Sequence, residues 1–373
     1  MTPAAKDAQL DFVRLSAEEP SSLYFERFLR HGFSAWPSQY QDRFPGLCTW
    51  PGIAGLKQSL RHLANAPADW PVLLAARSLS LVYLASSCMF RVCRNVLATD
   101  LSWTTYEQAI KAEAGLTGNR VTTIPVRNDI LYRDWTEDDV ASGLADAFVE
   151  HQCDGLFLPA VDHLGIHLPV QKIAERIRER TELRFCFVDA AQALCHVSLD
   201  DCLEVADFIV AGSHKWMGAY LPTGIGLFGP RRSRGMIERR VRDLNQTACS
   251  DDPLLQFTEQ LDTGGLDGHS ETANLSSIFA CAGAVFHQLA TQDSVVDTAH
   301  HSMNEMLALV PRPSAEWHPC QPHESLRSRI VLFELQTPAV KPTCPHSVRK
   351  IWLDSGCIVT GYPDGRARLS LPH

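Results

Sequence analysis

Residues 211–228 read AGSHKWMGAYLPTGIGLF. An apolar run ends in Ser213, His214 and Lys215, and the chain then turns through Pro222-Thr223-Gly224 into a second apolar run. A lysine at the mouth of a buried strand loses hydration, so its charge must be paired or put to chemical use. The preceding apolar run, FCFVDAAQALCH, ends in Asp189 and Gln192, and 26 residues separate Asp189 from Lys215, room for one helix and one strand. Taken alone, an acid and a lysine on neighbouring strand tips make a plain buried ion pair.

Outward from this centre, apolar strands alternate with helical stretches. PVLLAA (71–76), RNVLAT (94–99), DGLFLPAV, FCFVDAA, DFIVAGS and IGLFGP read as strands; LSLVYLASSCMF, DVASGLADAFVEHQ (139–152) and PVQKIAERIRERTEL read as helices. That alternation predicts an α/β domain with a large, mostly parallel sheet covered on both faces, and chemistry beyond the carboxyl ends of its strands. After about residue 270 the texture changes to a helix, NLSSIFACAGAVFHQLA, then RIVLFEL (329–335), a helix near 346–355 and ARLSLP (367–372). The expected division is residues 51–274 as the large domain and 275–373 as a small α+β domain. Residues 1–50 are expected to complete the small domain and cover the site.

The chain has 373 residues and a formal charge of −9, with no cationic block for phosphate backbones, so nucleic acid is not the expected partner. It has no apolar run of membrane-spanning length, and its first twenty residues lack a secretory core. The 12 cysteines show no CxxC pairing, and Cys186 lies in an apolar run; a reduced cytoplasmic setting is expected. His318-Pro-Cys320-Gln-Pro-His323 and Cys344-Pro-His346 match no zinc spacing and read as Pro-rich turns, so no metal is assigned.

Taken together, Asp189-Ala-Ala-Gln192, Ser213-His214-Lys215 and Pro222-Thr223-Gly224-Ile-Gly226 resemble the fold-type I pyridoxal-phosphate enzymes. More narrowly they resemble the class V aminotransferase and cysteine desulfurase group, over roughly residues 70–275. The resemblance implies pyridoxal 5′-phosphate as cofactor, with Lys215 its covalent attachment and a positioned acid/base. It makes Asp189 the partner of the ring nitrogen, Gln192 a donor to the ring's phenolic oxygen, and His214 and Ser213 phosphate contacts.

The same resemblance assigns Ala76-Arg77-Ser78 to the phosphate turn, although the family's glycine is missing there, and Trp103 to stacking on the ring. Asp162 stands where the family carries asparagine, and an Asp-initiated turn is an equal reading. Thr272 matches a threonine that reaches the phosphate of a neighbouring subunit, implying a homodimer with shared sites. Arg368, ahead of Arg366, matches the arginine that grips a substrate carboxylate. His31 and Trp216 are pocket candidates, the latter in a loop longer than in desulfurases, where Tyr220 also lies.

The resulting expectation is an enzyme acting on an α-amino acid, an aminotransferase first. A lyase of elimination, desulfurase-like or kynureninase-like type without a catalytic cysteine comes second. Cys357 reads as the start of a strand and Cys344 stays open as a nucleophile. A non-catalytic scaffold is the alternative of another class. A dinucleotide enzyme is disfavoured, because no GxGxxG follows an early strand.

Overall fold

The structure is a computed structural model that describes residues 1–19, 26–231, 233–247, 252–264, 266, 272–292, 307–314, 316–335 and 344–371. Its larger sheet contains β1 (Val72–Ala75), β2 (Asn95–Thr99), β3 (Arg120–Ile124), β4 (Gly155–Pro159), β5 (Phe185–Asp189), β6 (Phe208–Gly212) and β7 (Gly224–Leu227). Their spatial order is β1-β7-β6-β5-β4-β2-β3. β6, β5, β4, β2 and β3 run parallel, and β7 alone is antiparallel to its neighbours β6 and β1.

The exception has a local cause. A parallel return needs a crossover of a dozen or more residues, whereas an antiparallel one needs only a turn. Residues 213–223 supply the turn: Ser213 N–H donates to Thr223 O (3.0 Å), and Ser213 Oγ donates to Leu221 O (2.9 Å) while accepting from Thr223 N–H (2.9 Å). Lys215 therefore stands on a braced reversal at the carboxyl end of β6.

Strands β4, β5 and β6 are buried along their whole length, as continuous apolar runs in a doubly covered sheet should be. One core cluster covers one face, including Leu156, Val188 and Ile209; another covers the opposite face, including Phe157, Phe187 and Phe208. The successive residues of each strand thus feed opposite cores. β3, RVTTI, was not read as a strand: it is an edge, exposed at Arg120 and half-buried thereafter.

A smaller antiparallel sheet has the order β10-β11-β9-β8, formed by β8 (Trp317–Cys320), β9 (Ile330–Leu335), β10 (Thr360–Gly361) and β11 (Ala367–Ser370). The helix Pro345–Asp354 covers it, burying Val348 and Trp352 against Trp317 and Phe333. His318-Pro-Cys320, read as turn, is the strand β8; its prolyl residue pairs with Phe333.

The first fifty residues go elsewhere than expected. The helix Pro3–Glu18 buries Ala5, Ala8, Phe12 and Leu15 in the main core, with Phe12 stacked on Phe279 of the helix Ser276–Gln292 at 4.4 Å. The small-domain core holds no residue from this segment among those described. The helix Ser276–Gln292 likewise joins the large domain's core through Ile278, Phe279 and Cys281.

The two sheets meet at Gly165. Its φ is +102°, and an added Cβ would stand 2.2 Å from the carbonyl oxygen of Ile330. The Gly165 carbonyl accepts from Ser328 Oγ at 2.9 Å. Gly165→Ala is expected to cost about 3 kcal/mol, through unfavourable backbone and overlap together. A urea titration of both proteins measures it.

Candidate active site

The carboxyl ends of β1, β2, β4, β5 and β6 open on one cavity of about 370 Å³. Its wall includes Arg77 and Ser78 after β1, Trp103 after β2, Asp162 and His163 after β4, Asp189 and Gln192 after β5, and His214 and Lys215 after β6. Thr223, entering β7, and Tyr106 complete it. A hollow of about 650 Å³ at the other end of β1 is larger, but its buried Lys57 is already paired with Glu259 (2.6 Å) and Asp262 (2.8 Å).

Lys215 is exposed to the cavity, while Asp189 is buried beneath it. Partial loss of solvent lowers the lysine pKa, opposed by Asp189 and assisted by Arg368. Burial pushes the Asp189 carboxyl up to about 6 against the pull of Lys215 and the Ala191 N–H, which donates to Oδ1 at 2.8 Å. The two feel each other, yet Lys215 forms no ion pair within 4.0 Å among the described residues. The plain ion pair is therefore absent, and cavity lies where it would have been.

The phosphate-turn segment is mixed. The helix Ser78–Val92 begins at Arg77 with no side chain capping it, which leaves first-turn N–H groups to serve an anion. Gly224 makes room: a Cβ there would lie 2.6 Å from the Arg77 carbonyl carbon and the Ser78 nitrogen. Thr223 Oγ1 is buried without a partner on the same side. The Ala76 N–H, however, already donates to both carboxylate oxygens of Asp252, each at 3.0 Å. The Ser78 hydroxyl is shared with Tyr106 OH at 2.5 Å, and the Ser213 hydroxyl is saturated within the reversal. His214 is exposed, its pKa lowered by burial of its ring and by Lys215.

Trp103 is 48% exposed at the cavity rim, edge-on to His163 at 5.6 Å. Trp216 does not face the cavity. Its indole Nε1–H donates to Gln192 Oε1 at 3.0 Å, and its ring stacks at 3.8 Å on His196. Because an indole N–H only donates, this contact identifies the Gln192 oxygen and turns the amide N–H groups to other partners. Arg329 N–H donates to His196 Nε2 at 3.0 Å, so the proton sits on His196 Nδ1 and faces Gln192 O at 2.7 Å. The segment before β9 thereby holds the turn that follows β5.

After β4, Asp162 is sealed: Oδ1 accepts from Leu164 N–H (2.9 Å) and Ile166 N–H (2.8 Å), and Oδ2 has no partner. Burial raises its carboxyl to about 7, and lowers His163 beside it to about 4, with Arg127, Arg368, Lys215 and Arg366 adding to the latter. Arg368 is not among the cavity-lining residues but lies behind His163, donating to His163 O and Ser370 Oγ at 3.3 Å each, whereas Arg366 is held by Asp364. His31 and Thr272 are exposed and outside this cavity. Cys357 packs against the small-domain core and Cys344 is exposed ahead of the helix Pro345–Asp354.

Tyr106, His163 and His196 were not expected in the site, and Thr223 entered only as part of the Pro222-Thr223-Gly224 turn, with no role of its own. Only Tyr106 had a signal, one helical turn beyond Trp103 on the same face.

Residues 111–236 match the family model Aminotransferase class-V. The matched stretch runs from the helix before β3 to just past β7, and so includes Asp189, Gln192 and Lys215. No curated protein matches the sequence. Among solved structures, ureidoglycine–glyoxylate aminotransferase from Bacillus subtilis is 14% identical, with 85% of this chain and 77% of that chain covered and a TM-score of 0.62. The cystine C–S lyase C-DES in complex with cysteine persulfide is 13% identical, with 100% and 90% covered and a TM-score of 0.64. A variant of C-DES with glycine covalently linked to its PLP cofactor is 13% identical, with 100% and 89% covered and a TM-score of 0.63. At these identities the likeness is one of fold, the fold these pyridoxal-phosphate enzymes share.

Two outcomes test the site's electrostatics and its brace. The Asp162 carboxyl ionises near 3.8 when unfolded and near 7 when folded, so the folded chain holds the extra proton between these values. Its contribution to stability is therefore lost as pH rises from about 4 to about 7. Asp162→Asn should gain on wild type in thermal midpoint between pH 5 and pH 8. Trp216→Phe keeps the stack and strands Gln192 Oε1, costing about 1 kcal/mol in a denaturant titration at constant pH.

Proposed function

We propose that this protein is a class-V aminotransferase relative that binds pyridoxal phosphate and acts on an α-amino acid, with transamination as its reaction. The observation that carries this reading is the gap between Lys215 and Asp189: an amine and a carboxylate face one cavity without touching. The walls fit the cofactor. The cavity lies in the 300–1,000 Å³ range of small-molecule sites, an uncapped helix start meets it, and Thr223 Oγ1 is an unsatisfied donor in its wall. The Gly224 notch admits the backbone that a phosphate would approach.

Pyridoxal phosphate, when bound, supplies an aldehyde for amines and a ring that withdraws electrons from the substrate's Cα. Arg77, Ser78, Thr223 and His214 would hold its phosphate, Trp103 its ring face, and Gln192 its phenolic oxygen through the amide N–H groups left free by Trp216. Asp189 Oδ2, which no described donor engages, would keep a proton on the ring nitrogen. Lys215, with its lowered pKa, is suited to carry a proton from the substrate's Cα as a neutral amine. Arg368, its Nε unpartnered and its Nη atoms weakly held, would grip the substrate carboxylate. Thr272, exposed and away from its own cavity, would serve a second copy's phosphate in a homodimer.

A lyase reading is favoured by one feature, the ionisable His163 in the cavity wall. A persulfide mechanism has no support: the Cys357 thiol is raised by burial, and Cys344 lies outside the cavity.

The test is an absorbance spectrum of purified protein with added pyridoxal phosphate, wild type beside Lys215→Ala. Wild type should develop a band near the visible edge that the variant lacks. Asp189→Asn should bind cofactor yet lose at least about a hundredfold in amino-acid turnover. Wild type that stays colourless with added cofactor defeats the reading.

A further inference from the structure

Two buried polar atoms beside the cavity lack partners and face each other: Asp162 Oδ2 and His163 Nδ1, 4.0 Å apart. Everything around them is fixed. Asp162 Oδ1 is held by two backbone N–H groups, and the His163 carbonyl accepts from Tyr362 OH (3.1 Å) and Arg368 Nη1 (3.3 Å). The Asp162 side chain is wholly inaccessible and that of His163 is 19% accessible. His163 Nδ1 is sealed, but Nε2 has no hydrogen bond among the described residues and is not sealed, and the residue lines the cavity with Lys215.

A buried carboxylate with one bare oxygen and a buried imidazole nitrogen without a donor are each costly. One proton between them satisfies both, and a small ring rotation closes the gap.

We propose that Asp162 and His163 form a proton-carrying pair, a second acid–base centre that serves a heteroatom of the amino-acid substrate out of reach of Lys215. The proposal rests on the pyridoxal-phosphate reading of the cavity and deepens the second, lyase reading of its reaction. In the resting pair Asp162 Oδ2–H donates to His163 Nδ1, and Nε2 carries the second proton. When a substrate hydroxyl, thiol or amine departs, Nε2–H transfers to the departing atom. The Asp162 proton moves to Nδ1, and the negative charge ends on the Asp162 carboxylate. Arg127 acts on that carboxylate, and Arg127, Arg366, Arg368 and Lys215 all act on His163. Tyr362 packs 6.0 Å from the His163 ring and Trp103 5.6 Å from it.

The cofactor-free protein tests the pair first. Unfolding constants are measured at pH 5 and pH 8 for wild type, Asp162→Asn, His163→Gln and the double variant. The effect of Asp162→Asn should change at least about fivefold once His163 is glutamine; additive effects overturn the pairing. Diethyl pyrocarbonate should modify His163 in the same protein, located by mass spectrometry, and added pyridoxal phosphate should slow this about tenfold. Modification unaffected by the cofactor overturns the placement of Nε2 in the cavity.

With cofactor bound, pyruvate release is compared between L-serine, whose leaving group needs a proton, and β-chloro-L-alanine, whose chloride does not. His163→Gln should lower the serine-to-chloroalanine rate ratio at least tenfold, and an unchanged ratio, or no elimination by wild type, overturns the acid role. Cofactor uptake is scored on the same samples. A wild type that takes up none defeats the reading of the cavity, and the stability cycle then judges the pair.

Discussion

Much of this molecule depends on keeping an amine and a carboxylate close without letting them neutralise each other. Lys215 lies in a cavity where water is scarce enough to lower its pKa, and Asp189 lies in a site dry enough to raise its own. Left to themselves, such groups collapse into contact. Each is instead anchored by backbone: Asp189 by the Ala191 N–H, Lys215 by a reversal whose ends are tied through Ser213. The parallel strands β5 and β6 set the spacing between their tips, and the buried Phe and Val side chains on both faces fix the strands. The antiparallel β7 then brings Thr223 and Gly224 to the same edge.

The strands of the large sheet were legible because burial on both faces leaves continuous apolar runs. β3 was not, since an edge strand with Thr122 and Thr123 half-buried carries little of that signal. Motif order placed Asp189, Gln192, Lys215, Trp103 and Ser78 near strand ends, and the structure brings them to one cavity. What the motifs could not carry was the engagement of individual atoms. Ala76 and Ser213 have the expected positions but give their hydrogen bonds to Asp252 and to the reversal. His196 and His163 were missed because an isolated histidine has no spacing to read; His196 is fixed by Arg329, 133 residues on, and His163 stands beside Asp162 without a hydrogen bond to it. The first fifty residues were misplaced for a related reason, as an amphipathic helix does not announce which core will receive its face.

The two sheets share more than a seam. Gly165 lets the turn after β4 approach Ile330, and His196 joins Arg329 to the turn after β5. Both connections reach cavity-lining segments, one beside Asp162 and the other at Gln192. A shift of the small sheet is therefore felt at two points around the same space, through hydrogen bonds of fixed direction.

The reversal that carries Lys215 has one more set of ties. Thr2 N–H donates to Gly218 O at 3.0 Å, and Gln288 Nε2 donates to the carbonyls of Trp216 and Met217 at 3.2 Å each. Gly283, whose Cβ would lie 2.5 Å from Ala4 O, lets the two bracing helices touch. During synthesis, the lysine at position 215 thus leaves the ribosome long before one of its supports exists. The loop gains its full set of braces only after residue 288 has emerged and its helix has packed onto the helix Pro3–Glu18, made more than 250 residues earlier. Assembly of this site is a late event in the life of the nascent chain.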